Sequence, residues 1–223
     1  MKLASLFSGG KDSVYSAYLM QKKGHEITCL ISIFSENLES YMFHTPSIEK
    51  TKKQAEVMGI PLIIEKTRGE KEIELEDLKR AIKRAKDDYG IEGIVTGAIK
   101  SVYQASRLQK ICDELEIECL NPLWQRDELK YLKKLIREKF KVVIVGIFAY
   151  PLDESWLLRE IDEKFIEEVK VLNDKYKIHV AGEGGEFETF VLNCPMYSKE
   201  LKVIGKEVKK EGEYSFRAEI DVE

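Results

Sequence analysis

The sequence has no long apolar run and few cysteines. The longest uninterrupted apolar stretch runs only from Val142 to Tyr150, well short of the roughly 18 residues that a membrane-spanning helix needs. The opening residues, MKLASLFSGGKDS, break at two glycines, which predicts a first β-strand and argues against a signal peptide. The four cysteines are scattered without a C-x-x-C pair, which predicts reduced thiols and disfavours zinc or iron–sulfur sites. We therefore expect a cytoplasmic protein without membrane contact.

An excess of positive charge is also missing. The 36 basic and 40 acidic residues leave a net charge of −4, whereas a chain built mainly to grip nucleic acid is usually basic. We therefore expect no direct nucleic-acid binding. The length of 223 residues, 43% of them hydrophobic, predicts one large domain, or one medium and one small domain.

Strand and helix patterns alternate through the first half of the chain. The predicted strands are 2–7, 27–34, 61–65, 93–96 and 117–120, and the predicted helices are 12–23, 47–58, 70–89 and 101–115. Such alternation predicts βαβ units, and hence an α/β fold with a doubly wound parallel five-stranded sheet. Ligands of such sheets bind beyond the carboxyl ends of the strands, which points to the loop after the first strand.

The alternation loosens after Trp124. The patterns there predict helices at 127–140 and 156–176, a glycine–glutamate loop at 182–188, a turn at 210–212, and strands at 141–148, 189–193, 201–209 and 213–222. Apolar and polar residues alternate from Tyr214 to Val222, which predicts one buried and one wet face. We therefore predict an N-terminal domain over 1–125 and a smaller α+β domain over 126–223.

The loop Ser8-Gly9-Gly10-Lys11-Asp12-Ser13 carries the clearest chemical signal. Its glycines allow close backbone approach, the following helix offers free N–H groups, and Lys11 adds a positive charge between the Ser8 and Ser13 hydroxyls. These features predict an anion cradle of pyrophosphate size. Asp12 fits either a helix cap or a Mg²⁺ ligand. The alternative is an ordinary strand–helix turn. The loop is neither a Walker A motif nor a dinucleotide fingerprint.

In this setting the hexapeptide resembles the pyrophosphate loop of the N-type ATP pyrophosphatases, which cleave ATP between its α and β phosphates. Further segments extend the resemblance, in order and across nearly the whole chain, to the diphthine–ammonia ligase (diphthamide synthase) family of that superfamily. They are YMFHTP at 41–46, VTGAIKS at 95–101, YQASR at 103–107, NPLW at 121–124 and GEGGEFET at 182–189. The last segment is the most discriminating of them.

The resemblance implies an adenine nucleotide α-hydrolase-like fold and an ATP-dependent ligase. Its substrates would be ATP, ammonium and diphthine, a modified histidine on translation elongation factor 2. Its products would be diphthamide, AMP and pyrophosphate, formed through an acyl-adenylate with Mg²⁺ on the phosphates. The sequence shows no domain large enough for a glutaminase, which agrees with free ammonium as the nitrogen source. The oligomeric state stays open, with a homo-oligomer as one option.

Residues around the predicted fourth strand are further candidates. Gly97 and Ala98 end that strand, where adenine or ribose could lie against the backbone, although tight strand–helix packing would also require small residues. Ser101, Gln104 and Arg107 are spaced to share a helix face, and Arg107 could meet a phosphate or the substrate carboxylate. A solvated arginine is the alternative.

The remaining candidates lie in loops. His44 could touch nucleotide or substrate, and Trp124 could line a cleft between the domains or cover a core. Glu183, Glu186 and Glu188 form either an exposed acidic turn or a site for ammonium and the trimethylammonium group of diphthine. A glutamate there could also take a proton from ammonium.

The catalytic expectation comprises Lys11, Asp12, Glu183 and Glu186. We expect the substrate to be bound by His44, Ser101, Gln104, Arg107, Trp124, Gly184, Gly185 and Glu188. Two rival functions stay open at this point, an adenylating ligase or thiolase acting on tRNA and a non-catalytic nucleotide-sensing module.

Overall fold

A computed structural model of the chain describes residues 1–35, 50–68 and 73–223, without the side chain of Gln104. Strands and helices alternate over its first half as β1 (Lys2–Leu6), α1 (Lys11–Lys22), β2 (Glu26–Ser35), α2 (Thr51–Met58), β3 (Leu62–Thr67), α3 (Ile73–Tyr89), β4 (Gly93–Val95), α4 (Val102–Glu114) and β5 (Glu118–Leu120). The predicted sequence of elements is confirmed, with ends that differ by a few residues. The first residues of the predicted helix 47–58 lie outside the described residues.

The five strands form one parallel sheet in the order β3-β2-β1-β4-β5. One face packs on α1 and α2, since Leu3 and Tyr15 belong to one hydrophobic cluster. The other face packs on α3 and α4, since Ala4, Leu78 and Leu108 belong to a second cluster. The predicted doubly wound fold is therefore confirmed. Strand order reverses between β1 and β4, and the crevice at their carboxyl ends is where such folds bind ligands.

The second half is a smaller α+β unit, as predicted. It contains α5 (Glu128–Arg137), β6 (Lys141–Ile147), a 3₁₀ turn (Glu154–Trp156), α6 (Glu163–Tyr176), β7 (Phe187–Asn193), β8 (Val203–Gly212) and β9 (Ser215–Val222). Its strands form an antiparallel sheet in the order β7-β6-β9-β8. Strand β7 is therefore an edge strand of this sheet, and its outer edge lies next to the first domain.

The predicted helix 156–176 is wrong in its first part. Residues 158–161 run beside β6 instead, where the Leu158 and Ile161 N–H groups donate to strand carbonyls at 2.8 Å. The helix starts only after Asp162, whose Oδ1 accepts from the Phe165 N–H at 2.7 Å. Pairing with β6 satisfies the backbone in this segment, so its helical spacing does not decide its structure.

Two details of the last strands also need correction. The turn between β8 and β9 lies at residues 213–214 rather than 210–212, and it leaves Tyr214 40% exposed. Arg217, on the face predicted to be wet, is buried because two glutamates pair with it. Strand β7 also begins two residues earlier than predicted, at Phe187.

One hydrophobic cluster continues from the first half of the chain into the second. The Tyr15 ring of α1 lies 5.4 Å from the Tyr131 ring of α5 and 5.2 Å from the Phe140 ring. The domain boundary near residue 125 stays a prediction, but the two halves share a core across it. No helix within the described part of the chain is long and apolar enough to cross a membrane.

Candidate active site

The Ser8–Ser13 loop lies at the switch point between β1 and β4, where the sequence placed it. Gly9 has a φ of +79°, and a Cβ at that position would lie 2.2 Å from Gln54 Oε1, so both conformation and space require glycine. Ser13 Oγ accepts from the Ser8 N–H at 3.3 Å and donates to the Gly10 carbonyl at 3.1 Å. These bonds hold the loop in shape around the start of α1, whose N-terminal N–H groups favour an anion.

The buried Lys11 and the half-buried Asp12 form an ion pair at this helix start. Lys11 is only 3% exposed, and its Nζ lies 2.9 Å from Asp12 Oδ2. The hydroxyl of Tyr131, on α5, donates to Asp12 Oδ1 at 2.8 Å. Burial, followed by the charge of Asp12, raises the pKa of Tyr131 well above its usual value. The capping role expected for Asp12 is wrong, because Gly10 is the N-cap and both Asp12 oxygens are bonded elsewhere.

The outer edge of β7 packs against the other side of the Ser8–Ser13 loop. The Val191 N–H donates to the Gly9 carbonyl at 3.0 Å, and the Lys11 N–H donates to Thr189 Oγ1 at 3.1 Å. Gln54 on α2 is fully buried, and its Nε2 donates to the carbonyls of Gly9 and Val191, each at 2.9 Å. The second domain thus packs directly against the Ser8–Ser13 loop of the first domain.

Gly97 and Ala98 lie against the same helix start. A Cβ on Gly97 would approach the backbone of Asp12 and Ser13 to 2.8 Å, so the loop after β4 packs tightly on the first turn of α1. Ala98 donates its N–H to Thr96 Oγ1 at 3.2 Å. Tight packing, one of the two interpretations of this glycine, is therefore present in the structure. A nucleotide-binding role for the pair stays a prediction.

The two glutamates of the acidic loop at 182–186 have different surroundings. Both oxygens of Glu186 accept backbone hydrogen bonds, from the His179 N–H at 2.7 Å and the Gly184 N–H at 2.9 Å, so this residue organises the loop. Glu183 is half-buried, and burial, followed by the nearby Asp12 carboxylate, raises its pKa to about 7, although Lys11 opposes the shift. A carboxyl group with such a pKa can exchange a proton at neutral pH.

Glu188 lies on β7 and belongs to a different cluster. Its carboxylate is 3.5 Å from Arg217 Nη1, while Arg217 Nε donates to Glu211 at 2.7 Å. The Arg217 guanidinium lies 4.5 Å from the centre of the Phe148 ring. Burial raises the pKa of Glu188 to about 8, although Arg217 opposes the shift. Because side chains alternate along a strand, Glu188 points to the face opposite Thr189.

Other predicted site residues lie in or next to α4 and after β5. The Arg107 guanidinium stacks on the Tyr103 ring at 3.5 Å, and Ser101 precedes α4, accepting the Ala105 N–H with its carbonyl. Trp124 is half-buried in the turn that follows β5. The side chain of Gln104 and the whole of His44, with the rest of 41–46, lie outside the described residues.

The structure also reveals site residues that sequence reasoning missed. They are Gln54, Tyr131, Glu128, His179 and, although it ends a recognised motif, Thr189. Each comes from an element remote in sequence from the Ser8–Ser13 loop, and each looks like an ordinary helix, loop or strand residue in its own segment. A short motif carries no information on such partners, since they become neighbours only through folding.

A doubly wound sheet with a glycine-rich loop at its switch point, a buried lysine and a facing carboxyl group is typical of enzymes that use a nucleoside triphosphate. Comparison with family models identifies the particular family. Residues 1–119 match the diphthamide synthase N-terminal domain, and residues 127–220 match the diphthamide synthase C-terminal domain. The chain belongs to the diphthamide synthase family.

Curated relatives agree with this assignment. The diphthine–ammonia ligase of Mus musculus is 34% identical over 225 residues, covering 93% of this chain and 84% of the mouse protein. That of Schizosaccharomyces pombe is 33% identical over 227 residues, covering 93% of this chain and 37% of the yeast protein. Among solved structures, a predicted subunit of tRNA methyltransferase from Methanocaldococcus jannaschii aligns with a TM-score of 0.46 and 19% identity, over 90% of this chain and 99% of that one. The family and the enzyme class predicted from the sequence, an ATP-dependent carbon–nitrogen ligase, are confirmed.

Proposed function

We propose that this enzyme amidates diphthine on translation elongation factor 2, using ATP and ammonium and releasing diphthamide, AMP and pyrophosphate. The observation that carries the proposal is the position of the Ser8–Ser13 loop, which lies at the switch point opposite Glu183 in a chain whose curated relatives are diphthine–ammonia ligases. The work would take place in the cytoplasm, where elongation factor acts.

The loop side of the site would bind the departing pyrophosphate. A carboxylate is a poor acyl donor, so it must first displace pyrophosphate from the α-phosphate of ATP and become an acyl-adenylate. Backbone N–H groups at the start of α1 and the buried Lys11 ammonium would stabilise the charge that develops on the leaving group. Because these groups are already fixed in the structure, little reorganisation is needed.

Mg²⁺ fits this arrangement as an ion held mainly by the phosphates. No group of three His, Cys, Asp or Glu side chains among the described residues could hold a metal ion alone. A single protein carboxylate together with substrate phosphates is the usual coordination of Mg²⁺ in such sites, and Asp12 would supply that carboxylate. The ion would neutralise phosphate charge during pyrophosphate release.

The acidic loop at 182–186 would convert ammonium into the attacking ammonia. Glu183 would accept one proton from ammonium, and the freed lone pair of ammonia would attack the acyl carbon. AMP would leave with the electrons of the acyl–phosphate bond, and the attached nitrogen would lose a second proton to give the neutral amide. Gly184 and Gly185 at the exposed tip of this loop, with Glu188, are our candidates for contact with diphthine.

The proposal is tested by measuring AMP and pyrophosphate with ATP, Mg²⁺, ammonium and either diphthine-bearing elongation factor 2 or tRNA. We expect AMP only with the elongation factor. Lys11→Gln should abolish it, whereas Lys23→Gln, at the exposed far end of α1, should not. AMP only with tRNA would support the rival ligase or thiolase, and nucleotide binding without AMP in either mixture would support a sensing module.

A further inference from the structure

Three side chains from distant segments meet beside the acidic loop. Glu128 begins α5, Lys100 lies in the loop that follows β4, and His179 lies between α6 and β7. Glu128 Oε1 accepts from Lys100 Nζ, and it lies 2.9 Å from His179 Nε2. The Glu128 side chain is 14% exposed and that of His179 is 24% exposed, so the contacts are partly shielded from water.

His179 in turn holds the acidic loop through its ring and its backbone. Its Nδ1 accepts the Glu183 N–H at 3.3 Å, its N–H donates to Glu186 Oε1 at 2.7 Å, and its carbonyl accepts the Gly182 N–H at 3.0 Å. Because Nδ1 is an acceptor, the ring proton must be on Nε2, which is the atom that faces Glu128. Glu128 therefore fixes both the tautomer and the orientation of the ring.

We propose that His179 and Glu128 are positioning residues that aim Glu183 at Lys11 and Asp12. Lys100 anchors this pair from the segment that also carries Gly97 and Ala98, so the acidic loop is tied to the nucleotide side of the site. The inference rests on the proposed function. Its specific content is that the pair governs how efficiently ammonia, rather than water, captures the acyl-adenylate.

Loss of the pair would leave adenylation largely intact, because the Ser8–Ser13 loop is held by other contacts. A misplaced Glu183 would deliver ammonia poorly, and water would hydrolyse more of the intermediate. ATP would then be consumed without amide formation. A residue that merely stabilises the fold would lower both steps together.

The test compares His179→Ala, His179→Asn and Glu128→Gln with the matched surface control Glu167→Gln. It measures kcat, the KM values for ammonium and ATP, and the number of AMP molecules formed per amide. For His179→Ala we expect amidation to fall about 10- to 100-fold, with a ratio of AMP to amide well above that of the wild type and an ATP KM close to it. His179→Asn should recover part of the loss, since its amide oxygen can accept the Glu183 N–H, and Glu128→Gln should show a smaller loss of the same kind. Should His179→Ala fail to fold, the other two variants carry the test.

Wild-type amidation and an unchanged AMP-to-amide ratio in the folded variants would overturn the inference. An equal loss of adenylation and amidation, without recovery in His179→Asn, would overturn it too. A wild-type protein that forms no AMP with elongation factor would refute the proposed function, and this inference with it. An active wild-type protein together with variants that behave like it would refute this inference and leave the proposed function standing.

Discussion

Replacing Gln54 with methionine should loosen the Ser8–Ser13 loop with little change in side-chain volume. The substitution removes two hydrogen bonds from the Gln54 amide, to Gly9 and Val191, each 2.9 Å long. Neutral hydrogen bonds contribute about 1 kcal/mol each, so the loss could reach about 2 kcal/mol. Each carbonyl keeps another donor, the Val191 N–H and the Tyr197 hydroxyl respectively. Gln54 Oε1 is buried without a partner within the described residues, and its removal offsets part of the loss.

We therefore expect unfolding free energy to fall by about 1–2 kcal/mol. With a denaturant slope of about 2 kcal/mol per M, the urea midpoint should fall by roughly 0.5–1 M. If the whole loss appears as a less populated loop conformation, the KM for ATP rises by at most a factor of roughly 5 to 30. The matched control is Gln109→Met on the exposed face of α4, which should shift stability by less than about 0.5 kcal/mol. A Gln54 variant with the wild-type midpoint and the wild-type KM for ATP would refute the reasoning.

Two other outcomes follow from the same site. Tyr131→Phe removes the donor to Asp12, should lower stability by about 1 kcal/mol and slow AMP release, whereas Tyr89→Phe at the end of α3 should do neither, as urea titration and AMP assays would reveal. The pKa of Glu183 is raised to about 7, so amidation should rise with pH through that value as the carboxylate forms. The folded state binds this proton more tightly than the unfolded state, so the group's contribution to stability should decline as pH rises from its ordinary value of 4.5 through about 7. Glu183→Gln should remove both inflections, and a pH profile that keeps them would exclude this residue as their source.

Local sequence patterns were sufficient for the first domain. Each of its strands is a short apolar run, and the segment that follows it has apolar residues at helical spacing. Right-handed crossovers then leave few ways to arrange these elements. The pattern failed at residues 158–161, where pairing with β6 replaced the helix that the spacing favours. It failed again at Arg217, which is buried because Glu188 and Glu211 lie beside it. Both outcomes depend on contacts with other segments of the chain, and local periodicity carries no information on such contacts.

The candidate site was predictable only where its residues are contiguous. The Ser8–Ser13 loop carries its chemistry in six consecutive residues, so its position after β1 was enough to locate it. Tyr131 and His179 act through single atoms on Asp12 and Glu183, and their own segments show nothing unusual. Glu186 was expected to be catalytic, but its two oxygens are occupied by backbone donors, a detail that depends on loop conformation. We therefore assign proton transfer to Glu183 alone, as a proposal.

The junction between β7 and the Gly9 carbonyl has a consequence beyond catalysis. An open strand border can recruit strands from other molecules and so promote aggregation. Here both backbone groups of Val191 on that border are occupied, by Gly9 and by Gln54. The Ser8–Ser13 loop thus also shields this part of the border against intermolecular pairing. Any event that separates the two halves of the chain would break the contacts around this loop and, at the same time, expose the border to self-association.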